Sequence, residues 1–230
     1  MRPSDEGASS DVRASEGAVL HDTPQAAIVA ACEAYLDLHG DSYLGVGWTK
    51  SQAEVDRRYE VMLDVVRETD ADVSLLDFGC GLSHLHEHIR RTGRAGLRYA
   101  GLDVSEKFLA ASRAKFPETP FYDVDVLEHP DDLPGFHYVV LNGVFTLKVH
   151  NSYDEMWSYF TKLVQAVFAK AERGIAFNVM SKQVDWERED LFHVPFDALA
   201  SFLTAKISRH FVIRHDYGLY EYTVYVYRQT

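Results

Sequence analysis

The sequence predicts an α/β chain built on a mostly parallel sheet with helices on both faces. Three observations predict it. From Val73 onward, strand-like apolar runs alternate with stretches of helical period. The first run ends in a glycine pair, Gly79-Cys80-Gly81, at the point where an open parallel sheet turns into its first helix. The last two strand-like runs, near Phe211 and from Tyr220 to Tyr227, have no helix between them, so one edge of the sheet is antiparallel.

Each element has a local reason. Residues 1–22 are rich in Ser, Gly, Ala, Asp and Glu without apolar periodicity and read as a disordered lead-in. Thr23-Pro24 sets a capping residue before a proline at the first helical position. Ile28, Cys32, Tyr35 and Leu36 follow at helical spacing, and Gly40 ends the helix. Gly40 to Trp48 is a glycine-rich loop. Thr49-Lys50-Ser51-Gln52 has the form of a capping box. Behind it Val55, Tyr59, Met62, Leu63 and Val66 line one helix face, with Arg58 at the stripe's edge.

The first strand is Val73–Phe78, followed by a helix from about His84 to Arg91. The second is Arg98–Asp103, followed by a helix capped at Ser105 and running through Phe116. A third strand lies near Phe121 and a fourth from Phe136 to Leu141. Met156, Phe160, Leu163 and Val167 mark a long helix from Tyr153 to Ala171, and Gly174–Met180 is a fifth strand. A polar loop, a helix from about Phe196 to Ala205 and the two closing strands bring the count to seven.

Composition narrows the function classes. The 230 residues fit one domain, 23–230, behind the lead-in. With 23 basic against 35 acidic residues the formal charge is −12, and no Lys/Arg-rich stretch stands out, so a small-molecule substrate is expected rather than nucleic acid. No apolar run approaches the ~20 residues of a membrane span, so no membrane association is expected. Two cysteines make neither a disulfide framework nor a zinc signature, and a cytoplasmic protein is the expectation. The oligomeric state is left open.

The chemistry concentrates at the strand ends. Glycines 79 and 81 allow a tight turn and close approach of a ligand to the backbone. Asp103, 24 residues after Gly79, ends the second strand, where a carboxylate accepts hydrogen bonds from ribose hydroxyls. The pair implies an adenosine-containing ligand. A nicotinamide dinucleotide fingerprint requires a third glycine where His84 stands. Asp77, two before the first glycine, would repel a pyrophosphate and suits a cationic ligand; a helix-capping role is its alternative.

The run Asp77-Phe78-Gly79-Cys80-Gly81 resembles motif I of the class I S-adenosylmethionine-dependent methyltransferases, and the resemblance extends over Val73 to Thr230. It implies a Rossmann-like, seven-stranded, mostly parallel sheet with an antiparallel last strand and N-terminal helices acting as a lid. On this reading residues 23–70 are the lid helices, 71–180 the cofactor-binding core and 181–230 the acceptor-site elements. The implied cofactor is S-adenosyl-L-methionine. Asp103 and Val104 would meet its ribose, Asp125 and Val126 its adenine, and Asn142, in the loop after the fourth strand, its methionine part. Ser83 departs from the pattern, where a third glycine is frequent. The stretches Val46–Trp48, Arg58–Leu63, Ala176–Ser181 and Arg214–Tyr217 also resemble a group of small bacterial methyltransferases of unassigned substrate. From this, Trp48 covers the pocket and Arg58 pairs with the cofactor carboxylate. Arg58 also has a bland reading, in which it reaches solvent or pairs with Glu54 one turn earlier.

The expected reaction is methyl transfer to N, O or S of a small acceptor, with specialised metabolism as the setting. Phe145, Asn178, Tyr217 and Tyr220 are the candidate acceptor contacts. His215, His193 and Glu221 are, in that order, the candidate bases. His84, His86 and His88 form no complete ligand set, so no metal is expected and a solvated helix face is the reading. The rival readings are a nicotinamide-dependent oxidoreductase, a non-catalytic S-adenosylmethionine-binding module and, third, a nucleic-acid methyltransferase.

Overall fold

The computed structural model describes residues 23–48, 51–68, 72–94 and 96–229. The lead-in at 1–22 lies outside the described residues. In chain order the elements are α1 (Pro24–His39), α2 (Gln52–Leu63), β1 (Val73–Phe78), α3 (His84–Thr92), β2 (Leu97–Leu102), α4 (Glu106–Lys115) and β3 (Phe121–Tyr122). They continue with β4 (Phe136–Phe145), α5 (Tyr153–Lys170), β5 (Ala171–Ser181), β6 (His193–Val194), α6 (Phe196–Lys206), β7 (Phe211–Arg214) and β8 (Glu221–Tyr227).

The strands lie in the order β3-β2-β1-β4-β5-β8-β7, with β8 antiparallel to both its neighbours and the remaining pairs parallel. β1 sits between β2 and β4, so the strand order reverses at its C-terminal end. That reversal opens the crevice in which α/β sheets hold ligands. β1 reads as a nearly continuous apolar run because both its faces are covered. On one face Leu76, Val139, Leu141, Ile175 and Phe177 pack with α5 through Phe160, Leu163 and Val164. On the other Leu75, Tyr138, Val140 and Ala176 pack with Leu85 and Ile89 of α3.

Val55, Tyr59, Met62 and Leu63 of α2 belong to that second cluster. α2 is therefore part of the core, not a cover laid over it. α1 buries only Ala27. It is tied across the strand ends by Gln25 Nε2 donating to Asp125 (2.9 Å) and Ser105 Oγ donating to Glu33.

Boundaries differ from expectation in three places. Ser51, not Thr49, caps α2, its hydroxyl accepting from the Glu54 amide; Thr49 lies outside the described residues. β4 runs four residues past Leu141, through a register break that ends at Phe145 opposite Val179. β6 has only two residues, pairing with Met180 and Ser181 beyond the point where β4 leaves β5; two residues are too short for any periodicity to reveal. Among the described residues no helix is long and apolar enough to cross a membrane.

Candidate active site

The turn from β1 into α3 is built from three left-handed residues. Gly79 has φ +71° and Gly81 +52°, and a Cβ on Gly79 would stand 2.7 Å from Val144 Cγ2. Ser83, at the position where a third glycine was expected, is also left-handed, at φ 58°. For a side-chain-bearing residue that conformation costs roughly 1–2 kcal/mol. Its buried hydroxyl donates to Ser112 Oγ (2.8 Å), which donates to the Gly81 carbonyl (2.8 Å). These two bonds hold the serine in glycine's geometry.

Asp103 fastens the loop from the end of β2. Its Oδ2 accepts from the Gly81 amide (2.9 Å) and its Oδ1 from the Ser105 amide (3.0 Å). An ionised carboxylate has about four acceptor sites, so capacity for further donors is left. Burial raises its pKa, while those backbone donors oppose the rise. Asp77 is 3% exposed and accepts from the Tyr99 hydroxyl (2.8 Å). Burial pushes its pKa up to about 7, and the Asp103 charge adds to the effect. Such a carboxyl favours a cation as its neighbour. Asp125 accepts from Gln25 and from the Leu127 amide (2.9 Å each).

Arg58 is buried, with a partner far from the one considered on its own helix. Its Nε donates to Glu221 Oε1 (2.9 Å), 163 residues away. Asn178 Nδ2 donates to the same oxygen (3.1 Å), and Asn178 Oδ1 accepts from the Gly143 amide (2.7 Å). The Trp48 ring lies under the Arg58 guanidinium at 4.3 Å, and a Cβ on Gly143 would meet that ring at 2.9 Å. Two polar atoms here are buried without a hydrogen-bond partner, Arg58 Nη1 and Asn142 Oδ1. A buried orphan donor and a buried orphan acceptor fit a ligand carrying both signs.

These groups surround one cavity of about 430 Å³. All ten residues expected to contact the cofactor line it: Trp48, Arg58, Asp77, Gly79, Gly81, Asp103, Val104, Asp125, Val126 and Asn142. So do His193, Glu221 and Tyr220. Four candidates do not, and each is a correction. Phe145 is fully buried against Phe160 and Phe177, because the register break turns it into the core. Asn178 is buried and spends its amide on Glu221 and Gly143. Tyr217 is buried with Val61 and Leu219, its hydroxyl against Thr223. His215 packs its ring near Phe196 and Tyr222, away from the cavity.

The remaining base candidates are also committed. The Ser181 carbonyl can only accept, so His193 Nδ1 carries the proton to it (2.6 Å), and Nε2 accepts from the Arg188 amide (3.3 Å). Glu221 Oε1 serves Arg58 and Asn178. The α3 histidines are not a solvated face. His88 is 3% exposed beside Arg91 and Asp56, His86 stacks on Tyr99 at 4.3 Å, and His84 meets Asp41 at 2.8 Å. Among the described residues no group of three metal-ligating side chains occurs.

Sequence reading missed further parts of the cavity lining: Gln25, Cys32, Tyr159, Thr146, and Val184, Asp185, Arg188 and Leu191 of the loop before β6. That loop is polar and aperiodic. Its placement comes from nonlocal backbone bonds: Lys148 and Val149 amides donate to the Asp190 carbonyl, and Leu147 bridges Leu191.

A methyltransferase-domain family model matches residues 76–167, from within β1 into α5. A Mycobacterium tuberculosis protein provisionally named as methyltransferase Rv1506c is 27% identical over 155 residues, covering 66% of this chain and 92% of its own. Among solved structures, magnesium protoporphyrin IX methyltransferase from Synechocystis, with S-adenosylmethionine bound, superposes with a TM-score of 0.59. It is 15% identical and covers 93% of this chain and all of its own. Human N-acetylserotonin methyltransferase, also with S-adenosylmethionine, reaches 0.56 at 12% identity over 90% of this chain and 71% of its own. The two structures speak for the fold; the matched domain and the bacterial relative speak for the family, and the nicotinamide reading falls away. With its glycine loop and strand-end carboxylates, the chain carries a methyltransferase domain over residues 76–167 and is similar to the class I S-adenosylmethionine-dependent methyltransferases.

Proposed function

We propose that the chain methylates N, O or S of a small-molecule acceptor, and that the ten residues named above hold the cofactor. The observation that carries this reading is the single cavity, which runs without a break from the glycine loop to His193, Tyr220 and Glu221. S-adenosylmethionine supplies an electrophilic methyl on a sulfonium. Asp103 offers its remaining acceptor sites to the ribose, and Asp125 and the Val126 backbone take the adenine. Arg58 Nη1 faces the carboxylate of the amino-acid end, and Asn142 Oδ1 and Asp77 face its ammonium.

No side chain among the candidates is assigned as a base, and a proton released by an attacking amine, hydroxyl or thiol passes to solvent. His193 and Glu221 are tied, and His215 lies outside, so the residues act by holding acceptor and methyl in line and by keeping water out. A concave cavity in a chain of formal charge −12 favours a metabolite over a polynucleotide. The test is incubation of the purified protein with S-adenosylmethionine and a fractionated metabolite extract. Stoichiometric S-adenosylhomocysteine and a product 14 mass units (~, one methylene) heavier support it. Cofactor binding without turnover in any fraction would favour the binding-module reading.

A further inference from the structure

Asp125, the carboxylate given above to the adenine, already has a donor on each oxygen. Oδ1 accepts from the Leu127 amide and Oδ2 from Gln25 Nε2 (2.9 Å each). The second donor comes from α1, 100 residues earlier in the chain. Gln25 is half-buried and lines the cavity. Ile28, Val29 and Cys32 line it too, at the helical spacing that puts them on the same face of α1. A helix seated on protein alone would bury that face, yet α1 buries only Ala27. Tyr159 of α5 also lines the cavity, and burial and the charges of Asp125 and Asp103 raise its pKa.

An ionised carboxylate only accepts, so the Gln25 carboxamide presents Nε2 to Asp125 and cannot flip without losing that bond. Its orientation is thereby set. Oε1 points away from Asp125 as an acceptor, with no hydrogen bond of its own among the described residues, and Nε2 keeps a second hydrogen. An acceptor and a donor side by side match the N6 amine and N7 of adenine, the edge that a glutamine carboxamide reads in bidentate fashion. The N6 amine has one hydrogen for Asp125 and one for Gln25. We infer that Gln25 reads the base: its carboxamide pairs with the N6/N7 edge of the adenine while Asp125 takes the other N6 hydrogen. This rests on the assignment of the cavity to S-adenosylmethionine and extends the cofactor site onto α1.

The test is calorimetry on the full chain with S-adenosylhomocysteine and with its 6-deamino analogue, in which hydrogen replaces the amine on the purine ring. In the parent protein, loss of the amine should weaken binding about tenfold or more. Gln25→Met, which keeps the length of the side chain, should weaken S-adenosylhomocysteine about tenfold and the analogue by less than about twofold. Equal losses for the two ligands would make Gln25 a strut that only seats α1. Parent-like binding of S-adenosylhomocysteine by the variant would leave Gln25 without a role at the base. A parent protein that binds the two ligands alike would mean that the amine is not read. Each of these overturns the inference. Failure of S-adenosylhomocysteine to bind the parent protein at all would overturn the functional reading itself, and the inference with it.

Discussion

The two ends of the cavity are assembled differently. Around the glycine loop, two carboxylates are each fixed in part by a backbone amide two residues on, Asp103 by that of Ser105 and Asp125 by that of Leu127, beside longer ties to Gly81 and Gln25. At the acceptor end the ties are long. Arg58 reaches Glu221 across 163 residues, and Asn178 joins Glu221 to Gly143. The first end holds its shape in part through turns that its own residues dictate. The second holds only when α2, β4, β5 and β8 are all in place. The cofactor end should therefore tolerate distant changes, while the acceptor end and the fold should fail together.

The sharpest way to break this contrast is Arg58→Met. It leaves Glu221 buried with Asn178 as its named remaining donor, and breaking a buried pair by removing one partner costs about 3–5 kcal/mol. Urea denaturation should show that loss, and Arg58→Met with Glu221→Gln should recover most of it. In the double variant S-adenosylhomocysteine should bind more weakly while methylthioadenosine, which lacks the carboxylate, binds as before. A single variant as stable as the parent would mean that the long tie holds nothing.

A smaller effect comes from pH. The Asp77 carboxyl titrates near 7 in the fold and near 3.8 when unfolded. Between those values the folded chain holds a proton that the unfolded chain has released. Asp77's contribution is therefore most favourable below about pH 4 and declines as pH rises to about 7, by at most about 1.4 kcal/mol per unit. Ligand-free Asp77→Asn should lack this decline in thermal melts across that window. Affinity for the cationic cofactor should rise with pH over the same range in the parent protein only.

The smallest effect is expected at His215. Outside the cavity, with its ring near Phe196 and Tyr222, its replacement by Ala should lower stability by about 0.5–1.5 kcal/mol and leave turnover within about twofold. A large loss of turnover would restore it as a base.

This contrast also explains what could be read in advance. Asp77, Gly79, Gly81 and Asp103 were legible because strand end, turn and carboxylate follow one another within a single βαβ unit. The mostly parallel sheet and the antiparallel closing strand were legible from the alternation of elements. Glu221 as the partner of Arg58 was not, since no local spacing connects β8 with α2. Phe145 looked like a loop residue because the register break that turns it inward leaves no mark in the apolar pattern. Ser83 looked like a defect in the loop, whereas its hydroxyl bonds to Ser112 replace a glycine's freedom.

The most direct test of the account is calorimetric titration of S-adenosylhomocysteine into the parent protein and into Asp103→Ala. Asp103 holds the loop and is expected to hold the ribose, so the variant should lose about 1.5–3 kcal/mol of binding, the scale of hydrogen bonds to a charged group. Circular dichroism should show the fold retained. Parent-like affinity in a folded Asp103→Ala protein would contradict the assignment of this crevice to the cofactor.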